Sequence, residues 1–383
     1  MKQLIGKYIT HSIPGESFKA YLPPELPPKP PIDLSEIYPH LERATHALAQ
    51  LNTVANSIPN TSLFIYMYVR KEALLSSQIE GTQSSFSDLM LFEHHQKTAV
   101  SLEDVEEVSN YVKALQHGLK RLRKDLPLSL RLLREMHKIL LSGTRGSGKL
   151  PGEFRHSQNW IGGTRPSNAL FVPPPADHMM NCLSNLEIFF HDTTLPVLIK
   201  TAIAHIQFET IHPFLDGNGR IGRLLITLQL CESGLLFQPI LYLSLFFKKH
   251  RALYYELLQE TRLYGSWKQW IEFFLEGVTR SAHQAIEAAH KINQLFEKDC
   301  STINSLGRIR FSCIQVLEYL KKLPQVSVPL LAKELKMTPP TARAALQALV
   351  KQGVVKEISG KKRDQIYLYP DYLKLLEYGA EPI

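Results

Sequence analysis

The sequence predicts a mainly α-helical chain with one β-hairpin set among its helices and a small winged helix-turn-helix unit at its end. Three observations carry this expectation. Apolar residues recur at helical spacing through most of residues 34–297. That pattern breaks at residues 144–175, where turn residues and two β-prone runs replace it. After Gly307 the spacing shifts again, to three short amphipathic helices and a two-stranded wing.

Residues 21–33, YLPPELPPKPPID, are extended, because proline fixes φ and removes donors. Both a segment packed along the surface and a loose leader fit that composition. From Leu34 to about Asn56, Leu41, Ala44, Leu48 and Leu51 mark a helix face. A second helix over 61–80 stops at Gly81, a good C-terminal residue. Helices follow over 102–123 and over 129–142, the latter ending at Gly143. TRGSGKLPGEF is turn-rich, and QNWIGG and NALFVPPP separated by TRPSN fit a hairpin. Helices resume over 176–191 and 196–210, then, past the loop HPFLDGNG, over about 220–233, 247–263 and 267–297.

In the last part, residues 310–322 and PLLAKELKM are helical. TPPTARAALQALVKQG is a third helix, capped by Thr338 with proline in its first turn. VVKEISG and DQIYLY pair around the basic turn GKKR. The expected division is an N-terminal segment over 1–100, a core over 101–300 and a winged-helix domain over 308–383.

The 383 residues are 44% hydrophobic, an ordinary globular composition long enough for two or three domains. No apolar run reaches the ~18 residues of a membrane span, and MKQLIGKYITHS lacks the apolar run of a signal peptide. Cys182, Cys231, Cys300 and Cys313 show no CxxC spacing, which predicts a reduced cytoplasmic protein with unpaired thiols. Residues 301–383 carry 13 Lys/Arg against 7 Asp/Glu, most of the net charge of +8. That excess fits a solvated face, or a patch for nucleic acid or an acidic partner.

His212 to Arg223, HPFLDGNGRIGR, concentrates the chemistry. Gly217, Asn218 and Gly219 let the backbone take left-handed or nest conformations. Their N–H groups, with the N-terminus of the helix opening at Arg220, form an anion site. Arg220 and Arg223 share one helix face beside it, and guanidiniums grip phosphates with several donors at once. Asp216 suits a Mg²⁺ that bridges phosphates, and His212 suits a base near neutral pH. Singly, these residues also fit a structural histidine, a plain turn or calcium loop, and a solvated arginine pair. Together they read as nucleotide phosphate chemistry in which His212 deprotonates a hydroxyl nucleophile.

The order of residues matches HPFx(D/E)GNGRxxR at every specified position, so the chain resembles the Fic family over roughly residues 20–300. The resemblance implies an all-helical Fic fold with a β-hairpin flap, and transfer of AMP from ATP to a Ser, Thr or Tyr hydroxyl of a target protein, with Mg²⁺ bound. It implies His212 as base and Asp216 as metal ligand. Gly217, Asn218, Gly219, Arg220, Ile221, Gly222 and Arg223 then surround the nucleotide, with Arg223 at the γ-phosphate and Phe214 an apolar anchor. Tyr254 and Tyr255 match a pair on the adenine side, and equally fit a core. His250 departs from the Asn that many relatives carry, which leaves ATP over other nucleotides less determined.

SSQIEG, at Ser76 to Gly81, ends the second helix. Ser76 and Glu80 share a face, and a carboxylate in a last turn is disfavoured by the helix dipole unless a cation is near. The stretch is similar to the family's (S/T)xxxE(G/N) inhibitory helix, with Ser76, Glu80 and Gly81 at its specified positions. This implies that Glu80 pairs with Arg223 and that the chain restrains itself from an N-terminal helix. The same Glu could also serve removal of AMP.

The flap resembled by residues 158–175 implies a target segment bound there by strand addition. The resemblance leaves room for a homodimer, for a deAMPylase and for a different nucleotide donor. A third reading is a DNA-binding regulator through residues 308–370, although TARAALQALVKQG offers Arg343 and Lys351 for phosphates and few side chains for base edges. Because every phosphate-handling residue precedes residue 308, the winged-helix region is expected to be an accessory whose loss leaves transfer intact.

Overall fold

The computed structural model describes residues 5–57, 61–93, 101–124, 126–361 and 365–380. The chain opens on a hairpin the sequence reading did not anticipate, strands β1 (Lys7–Ile13) and β2 (Glu16–Leu22), antiparallel from Lys7 opposite Leu22 to Ile13 opposite Glu16. The proline-rich stretch after it is packed, not loose. The Gln207 side chain donates to Pro24 O at 2.8 Å, and Leu26 is buried against Asn185.

Helices α1 (Tyr38–Ser57), α2 (Thr61–Ile79), α3 (Phe86–Glu93), α4 (Leu102–Leu122) and α5 (Leu130–Leu140) follow. Ser101 and Ser129 cap α4 and α5 through their side chains. Helix α3 was not read from the sequence. Residues 158–175 double back as expected, but only Ile161 and Phe171 pair. Gly162 and Gly163 at φ near +70° bend the first run, and Pro166 opens a short 3-10 turn, so no ladder extends.

Helices α6 (Ala176–Phe190), α7 (Val197–Ile211) and α8 (Asn218–Glu232) complete the middle of the molecule. The helix expected over 247–263 is two, α9 (Ser244–Lys249) and α10 (Arg251–Tyr264), broken at His250. Helix α11 (Trp267–Asn304) then runs for 38 residues, about 57 Å at 1.5 Å per residue.

Beyond it lie α12 (Arg310–Lys322), β3 (Gln325–Ser327), α13 (Val328–Glu334), α14 (Pro339–Lys351), β4 (Lys356–Glu357), β5 (Ile366–Leu368) and α15 (Pro370–Glu377). Thr338 caps α14 as its sequence predicts. The wing gains a third strand, in the order β3-β5-β4. Lys362 and Arg363 of the GKKR turn lie outside the described residues. The winged-helix unit is not set apart: one buried apolar cluster runs from Leu26 to Ala380, and α15 packs on α2, α3 and α11. No helix among the described residues is long and apolar enough to cross a membrane, and the four cysteines are unpaired.

Candidate active site

The site forms where α7 ends and α8 begins. Helix α7 closes at His212, whose φ of 48° is left-handed and costs a non-glycine residue steric strain. Gly217, at φ 78°, opens α8. Between them Phe214 is buried, its ring stacked on His137 at 3.7 Å. His137 Nε2 donates to Asp216 O at 3.0 Å, and its Nδ1 accepts from Gly152 N–H at 2.9 Å. Burial pulls His137 down to about 4, so it is neutral and its tautomer is set by those partners. Asn218 closes the turn on itself, its Oδ1 accepting from Phe214 N–H and its Nδ2 donating to Phe214 O, both at 2.8 Å.

The same two asparagine roles reach His212. Its Nδ1 lies 3.0 Å from Asn159 Nδ2 and 3.2 Å from Asn218 Nδ2, so Nδ1 accepts and the ring hydrogen sits on Nε2. Burial first, then the charges of Arg155 and Arg262, hold the imidazole down to about 3, neutral at any ordinary pH. Arg155 is itself buried and donates to the carbonyls of His212, Ser157 and Pro174. Arg262 lies 4.1 Å from the centre of the Phe171 ring and donates to Glu209 O and Thr210 Oγ1. These two cations join the end of α7 and the His212 turn to residues 171–174 of the hairpin.

Asp216 Oδ1 accepts from Gly217 N–H at 2.6 Å and from Arg220 at 3.3 Å. The side chain is 42% exposed, and Oδ2 faces Gly146, where an added Cβ would come within 3.0 Å. No group of three or more His, Cys, Asp or Glu gathers among the described residues. A lone carboxylate with an uncommitted oxygen fits Mg²⁺, which takes few protein ligands and completes its shell with phosphates and water. Arg220 is buried and paired to Glu107 of α4 at 3.2 Å; Glu107 also holds Arg145, which bonds Asp104 at 2.8 Å. This carboxylate pair on α4, three residues apart, is invisible in sequence because its partners lie far along the chain.

Arg223 is 2% exposed and spends its donors on α2: Nε to Ser76 Oγ at 2.7 Å, and Nη2 to Ser76 O at 3.0 Å and to Glu80 Oε1 at 2.6 Å. The expected pair is therefore formed. Glu80 is aimed by the way α2 ends. Thr82 N–H bonds Ser77 O, Gly81 N–H bonds Gln78 O, and Gly81 has φ 104°, a Schellman closure in which Glu80 is the last half-helical residue. Its carboxylate lies against Gly219, where any Cβ would collide with it. A carboxylate thus sits beside the free N–H groups at the start of α8, where a phosphate would bind.

Other expected contacts fall behind the site. The Ile221 side chain is in the core, and Gly222 is pressed by the buried Glu209 carboxyl and by His205, whose Nδ1 donates to Gly222 O at 2.9 Å. Tyr254 is buried and its hydroxyl donates to His205 Nε2 at 2.9 Å, so its side chain has no free face. Its place beside buried Leu257, Leu258 and Thr261 on one helix face was the signal in the sequence. Tyr255 is 41% exposed, with Arg251 5.2 Å over its ring.

Residues 38–120 match the Fic/DOC family N-terminal model, residues 127–230 the Fic/DOC family model, and residues 314–356 a winged helix-turn-helix DNA-binding model. A protein adenylyltransferase Fic of Aedes aegypti is 28% identical over 237 residues, 59% of this chain and 44% of that protein. One of Drosophila virilis is 28% identical over 162 residues, 42% of this chain and 30% of that protein. The chain thus spans less than half the length of these curated relatives. Among solved structures, a Fic family protein of Desulfovibrio desulfuricans matches at TM-score 0.58 and 20% identity, over 89% of this chain and 97% of that one. Fic-1 of C. elegans matches at 0.51 and 23%, over 67% and 73%. Both are likenesses of fold.

Proposed function

The chain carries a Fic/DOC N-terminal region, a Fic/DOC domain and a winged helix-turn-helix domain, and from that premise we propose that it is a protein adenylyltransferase restrained by its own Glu80. The hydroxyl oxygen of a target Ser, Thr or Tyr attacks the α-phosphorus of ATP. The bond from that phosphorus to the bridging oxygen breaks, pyrophosphate leaves, and the hydroxyl proton passes to His212. Neutral His212 is competent to take it, once the ring lone pair turns from the two asparagine amides to the nucleophile. The N–H groups opening α8 hold the phosphate chain. Asp216 would hold Mg²⁺, which supplies charge neutralisation to the phosphates.

The observation that carries the reading is the occupied Arg223. Its three bonds to Ser76 and Glu80 commit Nε and Nη2, and the Glu80 carboxylate stands at the phosphate cradle against Gly219, in front of the remaining Nη1. ATP and a seated Glu80 compete for one guanidinium and one helix end. For the target, Tyr21 N–H already occupies Val172 O on one side of the flap. An added strand would therefore register on the Trp160 side, beside the exposed Leu170.

The test is transfer of labelled AMP from ATP, with Mg²⁺ and cell lysate, by wild type, Glu80→Gly, His212→Ala and the double variant. Glu80→Gly should raise labelling of the chain and of lysate proteins. His212→Ala should abolish it in either background, a loss of order 10²–10⁴. A Glu80→Gly no more active than wild type removes the restraint, and a double variant as active as Glu80→Gly removes the base. Loss of label from modified protein on adding wild-type chain would instead favour hydrolysis of AMP.

A further inference from the structure

Close to Glu80, which is the latch on Arg223, a side chain near the end of α2 is tied to residues 377–380. Gln78 is 1% exposed, and its Nε2 donates both to Ser84 O at 3.0 Å and to Ala380 O at 2.9 Å. Its Oε1 accepts from Lys248 Nζ at 2.7 Å. Ser87, on α3 just past the latch, donates to Glu377 Oε1 at 2.7 Å. Gly379, at φ 76°, lets the tail pass Leu245, whose Cδ1 would stand 2.7 Å from an added Cβ. The Lys249 ammonium lies 5.3 Å from the centre of the Tyr378 ring. Residues 377–380 are thus clasped by α2, α3 and α9 together.

Gln78 also supplies the carbonyl that Gly81 N–H bonds in the closure that aims Glu80. The position of Gln78 and the direction of Glu80 are set by the same turn of backbone. We propose that the C-terminal segment 377–380 is a brace that acts through Gln78 to hold Glu80 on Arg223, so that displacing the tail releases the active site. This rests on the adenylyltransferase reading and adds its means of control. Gln78 is a positioning residue; it touches no reacting group.

The brace belongs to the winged-helix unit. Helix α15 begins at Pro370, two residues after β5, the central strand of the wing. Its near end is pinned by Tyr369, whose hydroxyl donates to Asp299 Oδ2 at 2.5 Å, and by Tyr372, whose ring lies 4.9 Å from that of Phe296. Between these pins and the tail, α15 and α11 flank an open cavity of about 670 Å³ lined by Lys71, Lys291, Lys298, Lys374 and Tyr378. The helix is pinned at its two ends and buries Leu373 and Leu376 between them, with the cavity along one side, so it is held as one rigid piece. A shift of β5 is carried along α15 to Ala380, and from there to Gln78. The region expected to be an accessory is placed to govern the latch.

The test uses the full chain with Gln78→Leu, which removes all three side-chain bonds at similar volume, and with Gly379→Val, which cannot keep the tail's backbone turn. Ser87→Ala is a milder third variant, and each is also made in Glu80→Gly. Labelled AMP transfer should rise about fivefold or more for Gln78→Leu and Gly379→Val, the factor that loss of one buried hydrogen bond carries. In the Glu80→Gly background neither should add anything, because the brace acts only through Glu80. Wild-type rates in folded Gln78→Leu and Gly379→Val, or a rise that multiplies that of Glu80→Gly, overturn the proposal. Amide hydrogen exchange over residues 76–82 gives a readout independent of activity. It should speed in Gly379→Val and in Ser87→Ala, and unchanged protection overturns the brace. If Glu80→Gly itself transfers no AMP while exchange speeds as expected, the enzymatic reading fails and the brace stands.

Discussion

At Gly81 the requirement is an angle and not space. Its φ is 104°, and nothing lies within 4 Å of where a Cβ would be. An alanine there would meet no neighbour, yet would strain the backbone by roughly 1–2 kcal/mol or undo the turn that aims Glu80. Gly81→Ala is therefore expected to lower the melting temperature by about 1–3 °C and to raise AMP transfer, since Glu80 loses its fixed direction. A variant with wild-type melting and wild-type rate would show that the closure of α2 does not aim the carboxylate. His212 is the converse case: a left-handed residue with a Cβ, held by Asn159, Asn218 and the Arg155 bonds to its own carbonyl and neighbours. Strain of that kind persists only where the surroundings over-determine it.

At the scale of elements, α14 carries the prediction. Arg343, Ala344, Gln347, Val350 and Lys351 face solvent on it, with Lys333 and Lys336 exposed just before it. Such a face grips phosphates and reads few base edges. Binding to random duplex DNA should weaken steeply with salt. Arg343→Ala and Lys351→Ala should each lower the slope of log K against log salt by about 1, equally for all sequences. A salt-independent or sequence-selective profile would assign the helix to another partner. The flap, by contrast, is supported from outside itself: Phe18 and Ala20 of β2 pack on Val172, and the Tyr21 ring lies 5.9 Å from that of Phe171. A hairpin with one bridge of its own depends on that neighbour.

Across the whole molecule, burial of ionisable groups makes stability depend on pH. His137 is pulled down to about 4, and His205 and His212 to about 3, in each case chiefly by burial. Below their ordinary 6.5, an unfolded chain protonates these rings and the folded chain does not, so stability falls as pH drops. Glu72 and Glu209 act oppositely. Burial raises both to about 7, so the folded chain keeps two protons that an unfolded chain releases above 4.5. Between pH 4.5 and 6.5 the unfolded state therefore binds a net excess of one proton from these five groups. Stability should climb with pH there by only about 1.4 kcal/mol per unit. Below pH 4.5 the carboxyl difference vanishes, and the dependence should steepen about two- to threefold. Denaturant titrations from pH 3.5 to 6.5 measure it, and a single uniform slope would mean that the glutamates are ionised in the fold.

What the sequence determined by itself is what the chain settles over a few residues. The loop from His212 to Arg223 was legible because each of its demands is local: glycine at a positive φ, an asparagine that bonds its own turn, arginines one helix step apart. The end of α2 at Gly81 and the cap at Thr338 were legible for the same reason. Tertiary structure decided which distant groups those local pieces meet. Arg223 finds Ser76 and Glu80 more than 140 residues away, Arg220 finds Glu107, His212 finds Asn159, and Gln78 finds Ala380 some 300 residues on. The pairing of β3 with β5 was settled in the same way. Backbone angles and helical spacing act between neighbours and leave a mark in the order of residues. A buried charge or amide asks only that some partner be within hydrogen-bond reach, and the packing of the whole chain chooses which one.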